Sequence, residues 1–348
     1  MALKIFEDIK LIRGYNRSLL VDYTMNTFEF IDSNLYDLLQ ELDGDNELDF
    51  SGFLSKYPLH DEKLRELYAK NVFNEFCTED AAFPRISECV ENPFAFQSIT
   101  IYVSNLNVDL VIDNIEKLCN YTANIFFILR EEFINAVLNL AQTNTENGTR
   151  YIFCSEETVL DTIKGTISKS VLAEYHILDF NIINDRIRYL KTWPSLDNNF
   201  FNFCESSTYN LGVFEKIYID EFGNIKNNLH DDFTINSLFD DDIDNLEAIV
   251  KNNPNYARLA NIKVDDIIIC RDCEFRRMCV DIAGVKSTIY AANTYVKERE
   301  CSYNPYISKW KSSPDYMSLE EIGVEADVMA FQIDHKKIEG INKDLWGD

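Results

Sequence analysis

Positive charge is scarce in this sequence. Lys and Arg number 33 against 59 Asp and Glu, a formal net charge of −26 over 348 residues. A protein that grips a nucleic-acid backbone displaces counterions with a basic footprint, so general nucleic-acid binding is excluded. The acidity favours solubility and attracts cationic peptide segments. The chain also lacks any run of about 18–20 apolar residues, the length a helix needs to cross a bilayer. Met1-Ala2-Leu3-Lys4 leads into mixed charged sequence rather than an apolar signal core. The expectation is a cytoplasmic protein with neither membrane nor nucleic-acid partner. Histidine is sparse: His60, His176, His230 and His335 lie far apart, none in a metal-binding spacing. There is no phosphate-cradling glycine loop, no GxSxG elbow, no internal repeat and no low-complexity tract.

What is present supports a folded chain. Hydrophobic residues make up 46% and aromatics 13%, enough for substantial buried cores. The opening stretch reads as β plus α. Lys4–Arg13 is extended, and Ser18–Asp22 and Thr27–Ile31 form a hairpin around Thr24-Met25-Asn26. Ser33 is the expected N-cap of a helix Asn34–Leu42, with Gly44 as its stop. A short helix over Phe50–Lys56 precedes Pro58. A third, Asp61–Phe76, sets Leu64, Leu67, Tyr68, Val72 and Phe73 at helical spacing. Three strands and three helices suggest a winged-helix-like unit over 1–77, and Pro84 and Pro93 mark a linker over 78–97.

From Ser98 the rhythm becomes strand–helix alternation. Ile99–Val103, Ile125–Leu129 and Tyr151–Cys154 are apolar strand candidates, with helices Val108–Leu118 and Phe133–Ala141 between them. A further helix starts near Glu157, and Ile177–Ile183 is a further strand. This is the pattern of a parallel sheet with covering helices, an α/β fold. Near residue 200 it breaks. Glu215–Asp220 and Asn224–Asn227 flank Glu221-Phe222-Gly223, a hairpin signal, and Phe239–Val250 is an acidic helix start followed by apolar spacing. Asp240, Asp242 and Asp244 imitate a calcium loop but lack its glycine, at Asn245, and its closing Glu, at Lys251. From Asp315 the chain reads as a loosely packed tail with short helices.

The chain holds nine cysteines, read in a reducing compartment as buried thiols and metal ligands rather than disulfides. Cys270-Arg271-Asp272-Cys273-Glu274-Phe275-Arg276-Arg277-Met278-Cys279 combines a CxxC pair with a third cysteine, and Cys301 follows after 21 residues. A CxxC pair lets two thiolates chelate one ion, or two corners of a cluster, without strain. Spacing alone leaves an iron–sulfur cluster and tetrahedral zinc both open. Arg276 and Arg277 sit where they would balance a cluster's negative charge. Cys77, Cys89, Cys119, Cys154 and Cys204 are scattered among apolar neighbours and read as packing residues.

The run CRDCEFRRMC, followed by Cys301-Ser302-Tyr303-Asn304-Pro305-Tyr306 and Lys309-Trp310, resembles the SPASM domain of peptide maturases from grasp-with-spasm (ATP-grasp-associated) ribosomal-peptide systems, and of related pseudo-radical-SAM proteins. Ile12-Arg13-Gly14-Tyr15-Asn16-Arg17-Ser18-Leu19-Leu20-Val21-Asp22 resembles the N-terminus of such maturases, where a precursor-peptide recognition element begins. The resemblance implies that Cys270, Cys273, Cys279 and Cys301 match the ligands of one auxiliary [4Fe–4S] cluster. It also implies that a second cluster's set is broken, with Ala283 and Asn228 in place of cysteines and Cys204 surviving alone. The radical-SAM motif CxxxCxxC occurs nowhere. Its expected place reads Ser104-Asn105-Leu106-Asn107, and Arg130-Glu131-Glu132 after the second strand lacks a glycine-rich turn. No S-adenosylmethionine and no catalytic residue are therefore expected.

The expected architecture is a leader-recognition domain (1–77), a linker (78–97), a degenerate partial (β/α) radical-SAM-like barrel (98–203), a SPASM-like domain (204–314) and a tail (315–348). The implied function is accessory: to bind the leader of a ribosomally synthesised precursor peptide and support a partner ATP-grasp ligase. The leader would lie on the strand Thr27, Phe28, Glu29, Phe30, Ile31, against a wall of Leu64, Val72, Phe73 and Phe76. A peptide-modifying iron–sulfur enzyme and a structural zinc-bearing adaptor are the alternatives.

Overall fold

A computed structural model describes residues 2–42, 48–76, 92–143, 149–167, 171–177, 180–183, 186–190, 195–196, 198–227, 233–280 and 284–347. Cys77, Cys89, most of the expected linker, Asn228, His230 and Ala283 lie outside the described residues. Among the described residues no helix is long and apolar enough to cross a membrane.

The N-terminal part contains β1 (Ala2–Ile5), β2 (Ile9–Ile12), β3 (Ser18–Asp22), β4 (Thr27–Ile31), α1 (Ser33–Gln40), α2 (Phe50–Lys56), α3 (Asp61–Ala69) and β5 (Phe73–Phe76). β2, β3 and β4 form an antiparallel sheet with β4 at its edge, while β1 pairs with β5. Successive side chains along a strand point to opposite faces, and both faces of this sheet are covered. Leu20 and Ile31 join Leu35, Leu39, Phe53 and Leu64 in a core under the helices. Ile12, Leu19 and Val21 face the other way, onto Phe275, Met278 and Tyr303 of the cysteine segment. That is why Leu19-Leu20-Val21 is apolar without alternation.

Two expectations need correction here. The cap of α1 is Asp32, whose carboxylate accepts the Leu35 amide at 2.8 Å. The third helix stops at Ala69 instead of running to Phe76, because Asn71 takes a left-handed φ of 57° and turns the chain into β5.

The central layer follows the expected alternation: β6 (Ser98–Tyr102), α4 (Val108–Tyr121), β7 (Asn124–Ile128), α5 (Ile134–Thr143), β8 (Arg150–Ser155), α6 (Glu157–Thr166) and β9 (Ala173–Ile177). Next come a hairpin, β10 (Phe180–Ile183) and β11 (Arg186–Leu190), then β12 (Ser195–Leu196) and α7 (Phe200–Ser206). After them lie β13 (Lys216–Ile219), β14 (Asn224–Lys226), β15 (Asn236–Ser237), α8 (Leu246–Lys251) and α9 (Pro254–Ala260). The strands build one seven-stranded sheet of order β15-β14-β13-β6-β7-β8-β9, with β13 and β6 to β9 parallel. The fold is α/β.

The expected strand Ile177–Ile183 is in fact the end of β9 and the start of a separate hairpin. The β13–β14 turn forms as read, with Gly223 at φ 81°. Because β13 pairs with β6, Val213, Ile217, Ile225 and Leu246 share one core with Ile99, Phe127 and Leu160. The boundary expected at 203/204 therefore does not divide the packing.

The C-terminal region is a series of small antiparallel pairs. β16 (Cys279–Val280) joins β12, β17 (Val285–Ser287) joins β18 (Tyr295–Lys297), β19 (Tyr303–Asn304) joins β20 (Lys309–Trp310), and β21 (Val324–Ala326) joins β22 (Phe331–Ile333). α10 (His335–Trp346) closes the chain. The tail is not loose: Ile322, Val324 and Ile338 are buried together with Tyr306 and Ile307.

Candidate metal centre

One turn positions Cys270 and Cys273, and separate local contacts position Cys279 and Cys301. Cys270 opens a single 3₁₀ turn, Cys270–Asp272, directly after Ile269. Ile269 has a φ of 71°, which a β-branched side chain adopts at a cost of order 1–3 kcal/mol. Flanking hydrogen bonds hold it there, from the Ile268 amide to the Tyr295 carbonyl at 2.8 Å and from the Arg271 amide to the Ile267 carbonyl at 2.9 Å. The Cys273 amide closes the turn on the Cys270 carbonyl at 3.0 Å. Cys279 is fixed by its register opposite Leu196 in the β12–β16 pair. Cys301 precedes β19, and its sulfur accepts the Tyr303 amide at 3.4 Å.

All four are half-buried and line one cavity of about 60 Å³, walled by Leu211, Ile262, Val264 and Ile267, with Arg276 and Lys297 as the cations in its lining. By this measure a single water takes roughly 10–15 Å³, so the space suits a compact polyatomic group. Among the described residues no three His, Cys, Asp or Glu side chains converge as a single ion requires, since Zn–S bonds are only about 2.3 Å long. Burial pushes the Cys273 thiol well above its ordinary value, and Glu274, Cys279 and Cys270 add to the shift. A soft metal core is what would hold these sulfurs as thiolates.

Arg276 and Arg277 are tied into the frame. Both pair with Asp265, at 3.1 and 2.6 Å, and Arg277 also donates to the Ser206 carbonyl at 2.9 Å.

The contact that sequence reasoning missed is the docking of the β2–β3 turn, Arg13–Arg17, on the cysteine loop. The Tyr15 amide donates to the Asp272 carbonyl at 2.8 Å, and the Arg276 guanidinium to the Arg13 carbonyl. Arg17 pairs at 2.8 Å with Glu274, whose side chain is fully buried and also accepts from the Tyr303 hydroxyl at 2.5 Å. Asn16 donates to the Ser308 hydroxyl at 3.1 Å, and the Tyr15 ring stands edge-on to Tyr306 at 4.7 Å. Gly14 permits this approach: a Cβ there would stand 2.9 Å from Glu274 Cβ and 2.3 Å from the Arg17 carbonyl oxygen. Glu274 lies 257 residues from Arg17 in the chain, and no short-range pattern announces such a pair.

The strand edge expected to take peptide, β4, pairs only with β3 among the described residues. Phe28 and Phe30 are 43% and 41% exposed and stand edge-on to Phe275 at 6.2 and 5.9 Å, with the Arg17 guanidinium 3.5 Å from the Phe30 ring centre. Glu29 points the other way, bridging Lys63 of α3 and Lys70 just past its end. Burial raises its pKa, but hydrogen bonds from those two lysines outweigh it and leave the carboxyl below its usual range. The Thr27 carbonyl accepts from Asn198 at 3.3 Å, and Ile31 is buried in the helical core. Leu64, Val72 and Phe73 cannot wall a groove; all three are buried in that same core, so this expectation is corrected. Phe76 pairs through its backbone with Ala2, and its side chain lies outside the described residues.

At the C-terminal end of the parallel sheet, where open α/β sheets take ligands, lies a cavity of about 210 Å³ lined by Tyr102, Arg130, Glu131, Glu132, Ser155 and Glu156. Arg130 donates there to the Tyr102 hydroxyl at 3.2 Å. The neighbouring loop Ser104–Asn107 is knit shut. The buried Asn107 amide donates to the carbonyls of Tyr102 and Asp220 at 2.7 and 2.8 Å and accepts the Ser104 amide at 2.9 Å.

Neither a family model nor a curated protein matches the sequence. Among solved structures the chain is similar to Streptococcus suis SuiB bound to S-adenosylmethionine, at 11% identity and a TM-score of 0.26, over 80% of this chain and 94% of that one. It is likewise similar to SuiB bound to precursor peptide SuiA, at 10% identity and a TM-score of 0.26 over the same shares. Overlap this slight assigns neither fold nor activity to this chain.

Proposed function

We propose that the protein is a peptide-binding accessory factor of ribosomal-peptide maturation, carrying one cysteine-ligated [4Fe–4S] cluster and performing no radical chemistry of its own. The observation that carries this reading is the joint arrangement of Cys270, Cys273, Cys279 and Cys301 around one cavity, with Phe275 of the same loop supporting the aromatic face of an edge strand. Cys270, Cys273, Cys279 and Cys301 would hold the cluster. When bound, the cluster supplies a rigid, fully ligated core, because four thiolates leave no iron open to substrate. The Tyr303 amide donates to one of its sulfur ligands.

Among the described residues strand β4 pairs with β3 alone, and an extended peptide would join its other side as a further strand. Phe28 and Phe30 would contact alternate residues of that peptide on one face, and the Glu29–Lys63–Lys70 network the other face. Capture at this edge raises the effective concentration of the rest of the peptide near a partner enzyme, which we take to be an ATP-grasp ligase. The closed Ser104–Asn107 loop and the absence of CxxxCxxC support a non-radical role.

Incubating the purified protein with its precursor, with and without the ligase, and measuring intact mass tests this reading. The expected result is a mass change only when the ligase is present. A change produced by this protein alone would overturn the accessory role in favour of an enzyme.

A further inference from the structure

We propose that the metal centre and the β4 edge form one cooperative unit, latched by Arg13–Arg17, so that metal loading fixes the peptide-accepting edge and docking of the edge secures the metal. This rests on the metal-centre reading and adds the regulation of the peptide site.

The latch is built from both sides. Glu274 follows the ligand Cys273 directly and is fully buried, and its Oε1 accepts from both Arg17 and the Tyr303 hydroxyl. Tyr303 in turn donates its amide to the sulfur of Cys301. One arginine from the N-terminal sheet therefore reaches the surroundings of two ligands. The Tyr15 amide bonds to the carbonyl of Asp272, between Cys270 and Cys273. Phe275, between Cys273 and Cys279, is the surface on which Phe28 and Phe30 rest, and Arg17 covers Phe30 from the latch side. A cysteine loop released from its core would lose the geometry of Asp272, Glu274 and Phe275 together, and with it the support of β4.

Coupling of this kind is reciprocal: whatever docking contributes to metal affinity, metal contributes to docking. Arg17 and Glu274 are thus positioning residues, acting through the loop and never on the metal itself. Outer-shell partners of metal ligands typically influence affinity by about 10–100-fold.

The test uses the full chain, reconstituted anaerobically with ferrous iron and sulfide. Iron retention against a chelator is followed by visible absorption for the unchanged protein, Arg17→Met, Arg17→Lys, Glu274→Gln and, as a remote control, Leu118→Ala in the core under the parallel sheet. Amide hydrogen exchange of the β3–β4 ladder is compared with that of β7 before and after metal removal. The expected result is iron binding about 10–100-fold weaker in Arg17→Met, a smaller loss in Glu274→Gln, partial recovery in Arg17→Lys and no loss in Leu118→Ala. Metal removal should speed exchange in β3–β4 and leave β7 unchanged. Iron retention by Arg17→Met equal to that of the unchanged protein, or a β3–β4 ladder indifferent to metal, overturns the latch and leaves the metal-centre reading standing. Failure of the unchanged protein to take up iron overturns both.

Discussion

Phe275 is the residue on which the docking of the N-terminal sheet can be measured directly. It is 4% exposed and surrounded by the rings of Tyr303, Phe30, Trp310 and Phe28 at 5.0, 5.9, 5.9 and 6.2 Å, above Ile12, Leu19 and Val21. Truncation to alanine removes a buried ring from a packed site and should cost about 3–5 kcal/mol. Phe275→Leu keeps most of the volume. A hydrophobic swap of that kind costs under about 1.5 kcal/mol, to which lost edge-to-face pairs add about 0.5–1.5 kcal/mol each where they are not replaced. Because leucine keeps more of the buried volume, its variant should be destabilised, but by less than the alanine variant. Urea unfolding followed by near-ultraviolet circular dichroism reads this, since the Phe275–Tyr303–Trp310 cluster contributes to that signal. An alanine variant within about 1 kcal/mol of the unchanged protein would mean that the cysteine segment does not pack on β2–β4. A leucine variant as stable as the unchanged protein would refute the ring-contact account.

Gly14→Ala should destabilise by about 1–3 kcal/mol, the usual cost of overpacking, because its new methyl meets the Arg17 carbonyl and Glu274. Thermal unfolding checks this, and an unchanged midpoint would show that the latch sits further from the loop. The Glu29 bridge predicts a pH dependence. Its folded pKa lies below the ordinary 4.5, so its contribution is complete above that value and fades as pH falls through the lowered one. Glu29→Gln should abolish this acid sensitivity of the β4–α3 contact, read by hydrogen exchange of β4 between neutral pH and the acid range after correction for intrinsic rates. A profile identical to that of the unchanged protein would show that Glu29 is not the titrating group.

The central layer was legible in the sequence because each apolar strand, such as Ile125–Leu129, alternates with a helix of clear amphipathic spacing, such as Val108–Leu118. The hairpin at Gly223 was equally plain, since its turn needs a positive φ. The limits of α3 were not legible. Val72 and Phe73 continue its helical spacing while belonging to the turn and strand that follow, and only the left-handed Asn71 separates them. The same coincidence made Leu64, Val72 and Phe73 look like a groove wall, when an apolar residue flanking a strand edge is as well suited to the core beneath it. The membership of β13 in the parallel sheet was hidden for another reason. Parallel pairing to β6 across more than a hundred residues leaves no local trace. For the metal site, spacing singled out the four cysteines, but the latch that packs against them depends on Gly14, Arg17 and Glu274, which are distant in the chain and individually unremarked.

Iron and acid-labile sulfide per chain, measured on protein purified without oxygen, tests the central claim most directly. The account predicts about four of each, with both lost when Cys270, Cys273, Cys279 or Cys301 is replaced by serine and retained in Cys119→Ser. A single zinc per chain, or iron indifferent to those four substitutions, would contradict it.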